Sequence, residues 1–287
     1  MQLKQLNPLI EVTDLRTLCA SGADVLIVDC RHHLTDPDAG PQAYAQGHLP
    51  GAVFVHLDRD LAAPHGAGLC GGRHPLPARE SLRLKLQALG LSDSTQLIAY
   101  DADGGAWAAR LWWLALWLGH ERVAVLDGGL PAWVAAGQPL SANPPSARQG
   151  KLSLRTPVVS WVDADTVAAD VAGARRLIID ARAPMRFSGA QEPIDPVAGH
   201  IPGAINRFWQ NNLDPNQCFL PAPKLRSEFL TLLGQHKPDA VIHQCGSGVT
   251  ACHNLLAMTV AGLAGSLLYA GSWSEWCQDT SRPVANG

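Results

Sequence analysis

The chain has 287 residues, enough for two α/β domains of ordinary size; 47% of them are hydrophobic and only 16% charged, which excludes a disordered or fibrous protein. A formal net charge of -3, from 22 basic and 25 acidic residues with no basic run, gives no electrostatic footprint for nucleic acid or an anionic membrane. Any anionic substrate must therefore be held by a few local cations.

Residues 1–11 lack a cationic stretch followed by a long apolar one, so no secretory signal is expected. Seven cysteines, at 19, 30, 70, 218, 245, 252 and 277, show no CxxC and no paired spacing. Neither a disulfide framework nor a metal site is expected from that arithmetic, and a reducing cytoplasm is the simplest compartment.

In chain order, short apolar runs at 25–28, 98–100 and 123–126 read as buried strands, alternating with helical stretches at 81–89 and 107–118. The most apolar of these, 106–118, is too short to span a bilayer and contains Arg110. Residues 141–150, rich in Pro, Ser and Gly, read as a linker. Beyond it the pattern resumes, with strands at 177–179 and 240–243 and helices at 223–233 and 250–263. Alternating elements with continuous apolar strands predict mostly parallel sheets flanked by helices, an α/β fold.

The second half repeats the first. Leu26-Ile27-Val28-Asp29-Cys30-Arg31 recurs as Leu177-Ile178-Ile179-Asp180-Ala181-Arg182, and Gly47-His48-Leu49-Pro50-Gly51-Ala52 as Gly199-His200-Ile201-Pro202-Gly203-Ala204. The strand ending at Asp101 lines up with the one ending at Cys245, and Asp127-Gly128-Gly129-Leu130 with Ala270-Gly271-Ser272-Trp273. Four matched blocks in one order predict a tandem duplication: a first domain over 1–140, a linker over 141–157 and a second domain over 158–287. His48 and His200 appear in both copies, which favours a structural role for them.

Sites in parallel sheets lie beyond the carboxyl ends of strands, and Cys245 sits at one. The run Cys245-Gly246-Ser247-Gly248-Val249-Thr250 leads from a strand into a helix. Its glycines let the backbone curl with N–H groups pointing inward, and the helix adds the positive end of its dipole. Such surroundings stabilise a thiolate, which makes Cys245 a candidate nucleophile; a buried structural cysteine is the other reading. The first copy keeps the loop but carries Asp101, and so would wall the cleft without reacting. A cysteine phosphatase would need Arg six positions after Cys, where Ala251 stands.

With these residues in place, the sequence resembles the rhodanese superfamily, specifically its two-domain sulfurtransferases, over almost its whole length. The resemblance rests on the Asp-x-Arg strand ends, the Gly-His-x-Pro-Gly-Ala motif in both copies and the Cys245 loop in the second. It implies two rhodanese-like domains, the first non-catalytic and the second catalytic. It further implies that Cys245 takes a sulfane sulfur as a persulfide and passes it to a thiol, cyanide or a thioredoxin-like acceptor, with no separate cofactor. The neutral Gly246-Ser247 pair resembles the version of the loop that uses 3-mercaptopyruvate; the thiosulfate version has basic residues there. Thiosulfate remains the alternative donor, and a non-catalytic persulfide carrier the more distant reading.

Other site residues follow from the same resemblance. Arg186 matches the family's carboxylate-binding arginine, and the amides of Gly246, Ser247, Gly248, Val249 and Thr250 would cradle the substrate sulfur. Ser247 would donate to the substrate carbonyl or relay a proton, with plain turn chemistry as its other reading. Asp58 and His74 match first-domain residues that complete a relay with that serine, and either can instead be structural. One departure stands out. Related mercaptopyruvate enzymes carry a second arginine about nine residues after the first, but here the stretch reads Gln191-Glu192-Pro193-Ile194-Asp195-Pro196. Another cation such as Arg73 must substitute, or carboxylate binding is weaker.

Overall fold

A computed structural model describes residues 7–173 and 175–287. The chain divides into two compact units, and neither is a continuous stretch. One comprises the described residues up to Leu61 together with Ala78–Val158 and Asp214–Phe219; the other comprises Ala62–Pro77, Val159–Leu213 and Leu220–Gly287.

In the first unit the elements run β1 (Leu9–Ile10), α1 (Val12–Ala20), β2 (Val25–Asp29), α2 (Ala39–Gln46), β3 (Val53–Phe54), α3 (Leu57–Asp60), α4 (Arg79–Ala88), β4 (Gln96–Tyr100), α5 (Ala108–Trp117), β5 (Val123–Leu126) and α6 (Gly129–Ala135). The second unit repeats the plan with β6 (Trp161–Val162), α7 (Ala164–Gly173), β7 (Leu177–Asp180), α8 (Pro184–Phe187), β8 (Ile205–Asn206), α9 (Ala222–Leu233), β9 (Val241–Gln244), α10 (Ala251–Val260), β10 (Leu267–Tyr269) and α11 (Ser272–Trp276). Each unit holds one five-stranded sheet, ordered β1-β5-β4-β2-β3 and β6-β10-β9-β7-β8, with every strand pair parallel. The tandem α/β expectation is met.

The central strands are covered on both faces: every residue of β4 and β9 is buried, including the polar Gln96, His243 and Gln244. On one side of the first sheet Leu15, Leu49 and Trp133 pack against Ile27, Ile98 and Leu126; on the second, Val167, Ile201, Trp273 and Trp276 pack against Ile178 and Ile242.

The repeated motifs fasten strand ends. Arg31 Nη2 donates to Asp29 Oδ2 at 2.6 Å and to Gly47 O at 2.7 Å; Arg182 Nη2 does the same to Asp180 Oδ2 at 2.7 Å and Gly199 O at 2.8 Å. The histidines of both copies are spoken for by packing. His48 stacks on Tyr44 at 4.0 Å and bonds its carbonyl, and His200 stacks on Phe187 at 3.9 Å and bonds its carbonyl. Residues 141–157, read as linker, lie against the first unit. There Arg148 bonds Gly90 O and Asp24, and Leu152 is buried.

Candidate active site

Strand β9 delivers Cys245 to the carboxyl end of its sheet, where the residue is 2% exposed. The turn that follows is held from outside by α11: Trp273 N–H donates to Cys245 O at 3.0 Å and Ser274 N–H to Gly246 O at 2.9 Å. Ser272 Oγ accepts the Cys245 amide at 3.1 Å. Gly248 adopts φ +75°, and a Cβ there would meet Ala270 O at 2.2 Å, so only glycine fits this bend. With the carbonyls turned outward, the amides of Gly246, Ser247, Val249 and Thr250 meet no acceptor among the described residues. The first three of these residues are buried. Buried amides are normally paired, so a run of unpaired ones marks a place for an anion.

The first unit shows what such a turn holds. After β4 the Asp101 carboxylate accepts amides from Asp103 and Gly105 at 2.9 Å, Trp107 at 2.8 Å and Ala108 at 2.9 Å. Leu130 N–H donates to Asp101 O at 2.8 Å, the counterpart of the Trp273 bond to Cys245. One copy fills its amide cradle with its own carboxylate. The other puts a thiol at its head.

Two guanidiniums crown the second loop. The nearest atoms to a Cβ built on Gly246 would be Arg73 Nη2 at 2.9 Å and Arg186 Nη1 at 3.4 Å. Arg186 is clamped by Glu192, with Nη2 to Oε1 at 2.8 Å, and by Asp195, with Nη2 to Oδ2 at 3.0 Å. Arg73 Nη1 pairs with the other oxygen of the same Asp195 carboxylate. Burial pushes the Asp195 carboxyl up, with Arg73 pulling against it; at Glu192 burial pushes up too, but Arg186 and the amides of Asp195 and Ile194 outweigh it and hold the carboxyl below its ordinary value.

Arg73 and His74 enter this unit on the segment Ala62–Pro77. Its backbone is tied to α11 by Gly71 N–H to Glu275 Oε1 at 2.6 Å and Arg73 N–H to Ser274 Oγ at 3.1 Å. His74 Nδ1 then lies 2.7 Å from Ser247 Oγ, both side chains buried.

Of the residues singled out in the sequence, Cys245, Gly246, Ser247, Gly248, Val249, Thr250, Arg186 and His74 all belong to the second unit. Asp58 belongs to the first, in α3, where its amide donates to His56 Nδ1 at 3.1 Å. With His32 and His56 it forms a group whose potential ligand atoms lie within 4.8 Å of one another. The His56 nitrogens are already engaged, Nδ1 with the Asp58 amide and Nε2 with Pro37 O at 2.9 Å, so a metal there would displace both bonds. Cys252 is a packed thiol that donates to Gly248 O at 3.4 Å. Sequence reasoning missed Glu192, Asp195 and Ser272. Glu192 and Asp195 are paired with Arg186 only by the fold, and their sequence carries no motif that marks them.

Comparison with known proteins places these features. The rhodanese-like domain family matches residues 11–136 and again 163–279. A relative from Pseudomonas aeruginosa, named a probable 3-mercaptopyruvate sulfurtransferase, is 48% identical over 93% of this chain and 94% of its own length. SseB of Mycobacterium tuberculosis, which bears a thiosulfate sulfurtransferase name, is 40% identical over 97% of both chains. The crystal structure of SseA from Escherichia coli, described among 3-mercaptopyruvate sulfotransferases, superposes with a TM-score of 0.79 at 28% identity, covering 94% of this chain and all (100%) of its own.

Proposed function

The chain belongs to the rhodanese-like domain family, and from that premise we propose that it is a 3-mercaptopyruvate sulfurtransferase working through a persulfide on Cys245. The observation that carries this reading is the buried Cys245 at the head of a turn whose amides lack acceptors, under two guanidiniums.

The chemistry follows from the geometry. The Cys245 thiolate attacks the sulfur of 3-mercaptopyruvate; an S–S bond forms, the C–S bond breaks, and its electron pair passes into the enolate of pyruvate. Arg186, whose Nε and Nη2 are taken by Glu192 and Asp195, holds the carboxylate through Nη1. Ser247, backed by His74, hydrogen-bonds the carbonyl oxygen where the enolate charge develops, and the enolate takes a proton to leave as pyruvate. The persulfide then rests in the amides of Gly246, Ser247, Gly248, Val249 and Thr250, which suit an anion on sulfur without help from a charged side chain. A thiol, cyanide or a thioredoxin-like protein removes the outer sulfur, so no separate cofactor is needed. All seven cysteines are free thiols. No helix among the described residues is long and apolar enough to cross a membrane.

Thiosulfate is the second reading, favoured by the name of the 40% identical mycobacterial relative. Steady-state rates with both donors and cyanide as acceptor test the choice: kcat/KM for mercaptopyruvate should exceed that for thiosulfate, and the reverse order would replace the donor. Mass spectrometry after donor treatment should find one added sulfur on Cys245 and none on the Cys245→Ser variant.

A further inference from the structure

Helix α11 holds two separate parts of the reaction machinery. Through its backbone it holds the nucleophile loop, with Trp273 N–H on Cys245 O at 3.0 Å and Ser274 N–H on Gly246 O at 2.9 Å. Through two side chains it holds the distant stretch of chain that brings His74. Ser274 Oγ accepts the Arg73 amide at 3.1 Å while donating to Gly271 O at 3.2 Å, and Glu275 Oε1 accepts the Gly71 amide at 2.6 Å. The two backbones meet closely. A Cβ on Gly72, which adopts φ +84°, would lie 2.6 Å from Gly271 O and 2.7 Å from Ser274 Oγ; one on Gly71 would lie 3.0 Å from Glu275 Oε1. Glycine at both positions is what permits the approach. Just beyond, His74 Nδ1 stands 2.7 Å from Ser247 Oγ.

The first unit has no such arrangement. Its α6 is the counterpart of α11 and keeps the equivalent bond, Leu130 N–H to Asp101 O at 2.8 Å, but Pro131 and Ala132 stand where Ser274 and Glu275 do. Proline has no amide to donate, and neither side chain can accept one. The two acceptors thus occur in the copy whose loop carries the thiol. We propose that Ser274 and Glu275 are positioning residues for sulfur transfer. They fix residues 71–74 on the same helix that fixes residues 245 and 246, and so set the contact of His74 with Ser247. The inference rests on the mercaptopyruvate reading above, in which that contact serves the carbonyl oxygen of the donor.

The experiment compares turnover of 3-mercaptopyruvate, with cyanide as acceptor, against loading of Cys245 by inorganic polysulfide in the full-length protein. Polysulfide hands one sulfur to the thiolate and leaves as the shorter chain, with no carbonyl for Ser247 and His74 to assist. Glu275→Met keeps the length of the side chain and loses the acceptor. It should lower kcat for mercaptopyruvate about 10- to 100-fold, as a displaced catalytic group does, and leave polysulfide loading near wild type. Glu275→Gln keeps an acceptor oxygen for Gly71 and should restore most of the rate. Ser274→Ala is the milder change and should show the same pattern with a smaller loss; it carries the comparison if Glu275→Met fails to fold. Adding Glu275→Met to His74→Gln should cost nothing further in kcat, because Glu275 acts through His74. Equal losses with both donors, an unchanged kcat, no rescue by Glu275→Gln, or losses that multiply with His74→Gln would overturn the proposal. Wild-type protein that loads from polysulfide but ignores mercaptopyruvate would overturn the donor reading, and this inference with it.

Discussion

Ser272 holds the backbone of Cys245: its Oγ accepts the Cys245 amide at 3.1 Å and donates to Tyr269 O at 2.9 Å, from a residue with φ +54°. Left-handed backbone at a non-glycine residue is disfavoured by about 1–2 kcal/mol. The first copy has Gly129 at the equivalent point, also at φ +54°, and no side chain to offer. The second copy accepts strain in exchange for a hydrogen bond at the reacting residue. Ser272→Ala keeps the strained backbone and loses the bond, so it should unfold at a lower temperature than Ser272→Gly, which loses the bond and relieves the strain. Both should lower kcat/KM. Thermal unfolding read beside steady-state rates checks the ordering.

The Asp101 cradle predicts what a carboxylate does in this turn. Removing it in Asp101→Ala would orphan four amides, those of Gly105 and Ala108 on buried residues, and should destabilise the protein by roughly 2–4 kcal/mol in chemical denaturation. Conversely, Cys245→Asp should fill the second cradle. Sulfur transfer should vanish while stability holds or rises.

The contact of His74 Nδ1 with Ser247 Oγ at 2.7 Å predicts coupled effects on the rate. Ser247→Ala and His74→Gln should each lower kcat by about 10²-fold with mercaptopyruvate, in the range of acid–base assistance, and the double variant should be little worse than either. Independent, multiplying losses would separate the two residues into different roles.

His243 ties stability to acid. Burial pushes its imidazole from the ordinary 6.5 down to about 3, and its Nε2 lies 3.0 Å from Met258 Sδ. As pH falls through 6.5 the unfolded chain binds a proton, while the folded protein refuses it until about 3. Stability should therefore decline with falling pH across that window, by at most about 1.4 kcal/mol per pH unit from this residue. His243→Leu should flatten the decline. Urea midpoints at several pH values, for both proteins, give the comparison.

Much of this was legible in the sequence because the signals are local. The apolar runs at 25–28, 123–126 and 177–179 became β2, β5 and β7, and Gly262 at φ +69° stops α10 short of the expected 263. The Cys245 loop announced itself through its glycines and the strand before it. Arg186 came through the family pattern. What stayed hidden depends on residues distant in the chain. Arg73 and Asp195 pair across 122 positions, and an ion pair at that separation leaves no periodicity to read. Ser272 aligns with Gly129 in a repeated block, and only its dihedral and its bond to Cys245 show what it does there.

The division of the chain among its units has a consequence for synthesis. Arg73 and His74 leave the ribosome well before the strand that carries Cys245, yet the unit they complete is the second one. The first unit in turn waits for Asp214–Phe219. A gene cut at residue 158 would give a downstream fragment that holds the nucleophile but lacks the histidine beside Ser247 and the arginine beside Gly246. An upstream fragment would carry both with nothing to dock them against. The two halves are copies by descent, but they cannot be inherited, swapped or expressed as separate cassettes without each taking away a piece the other needs.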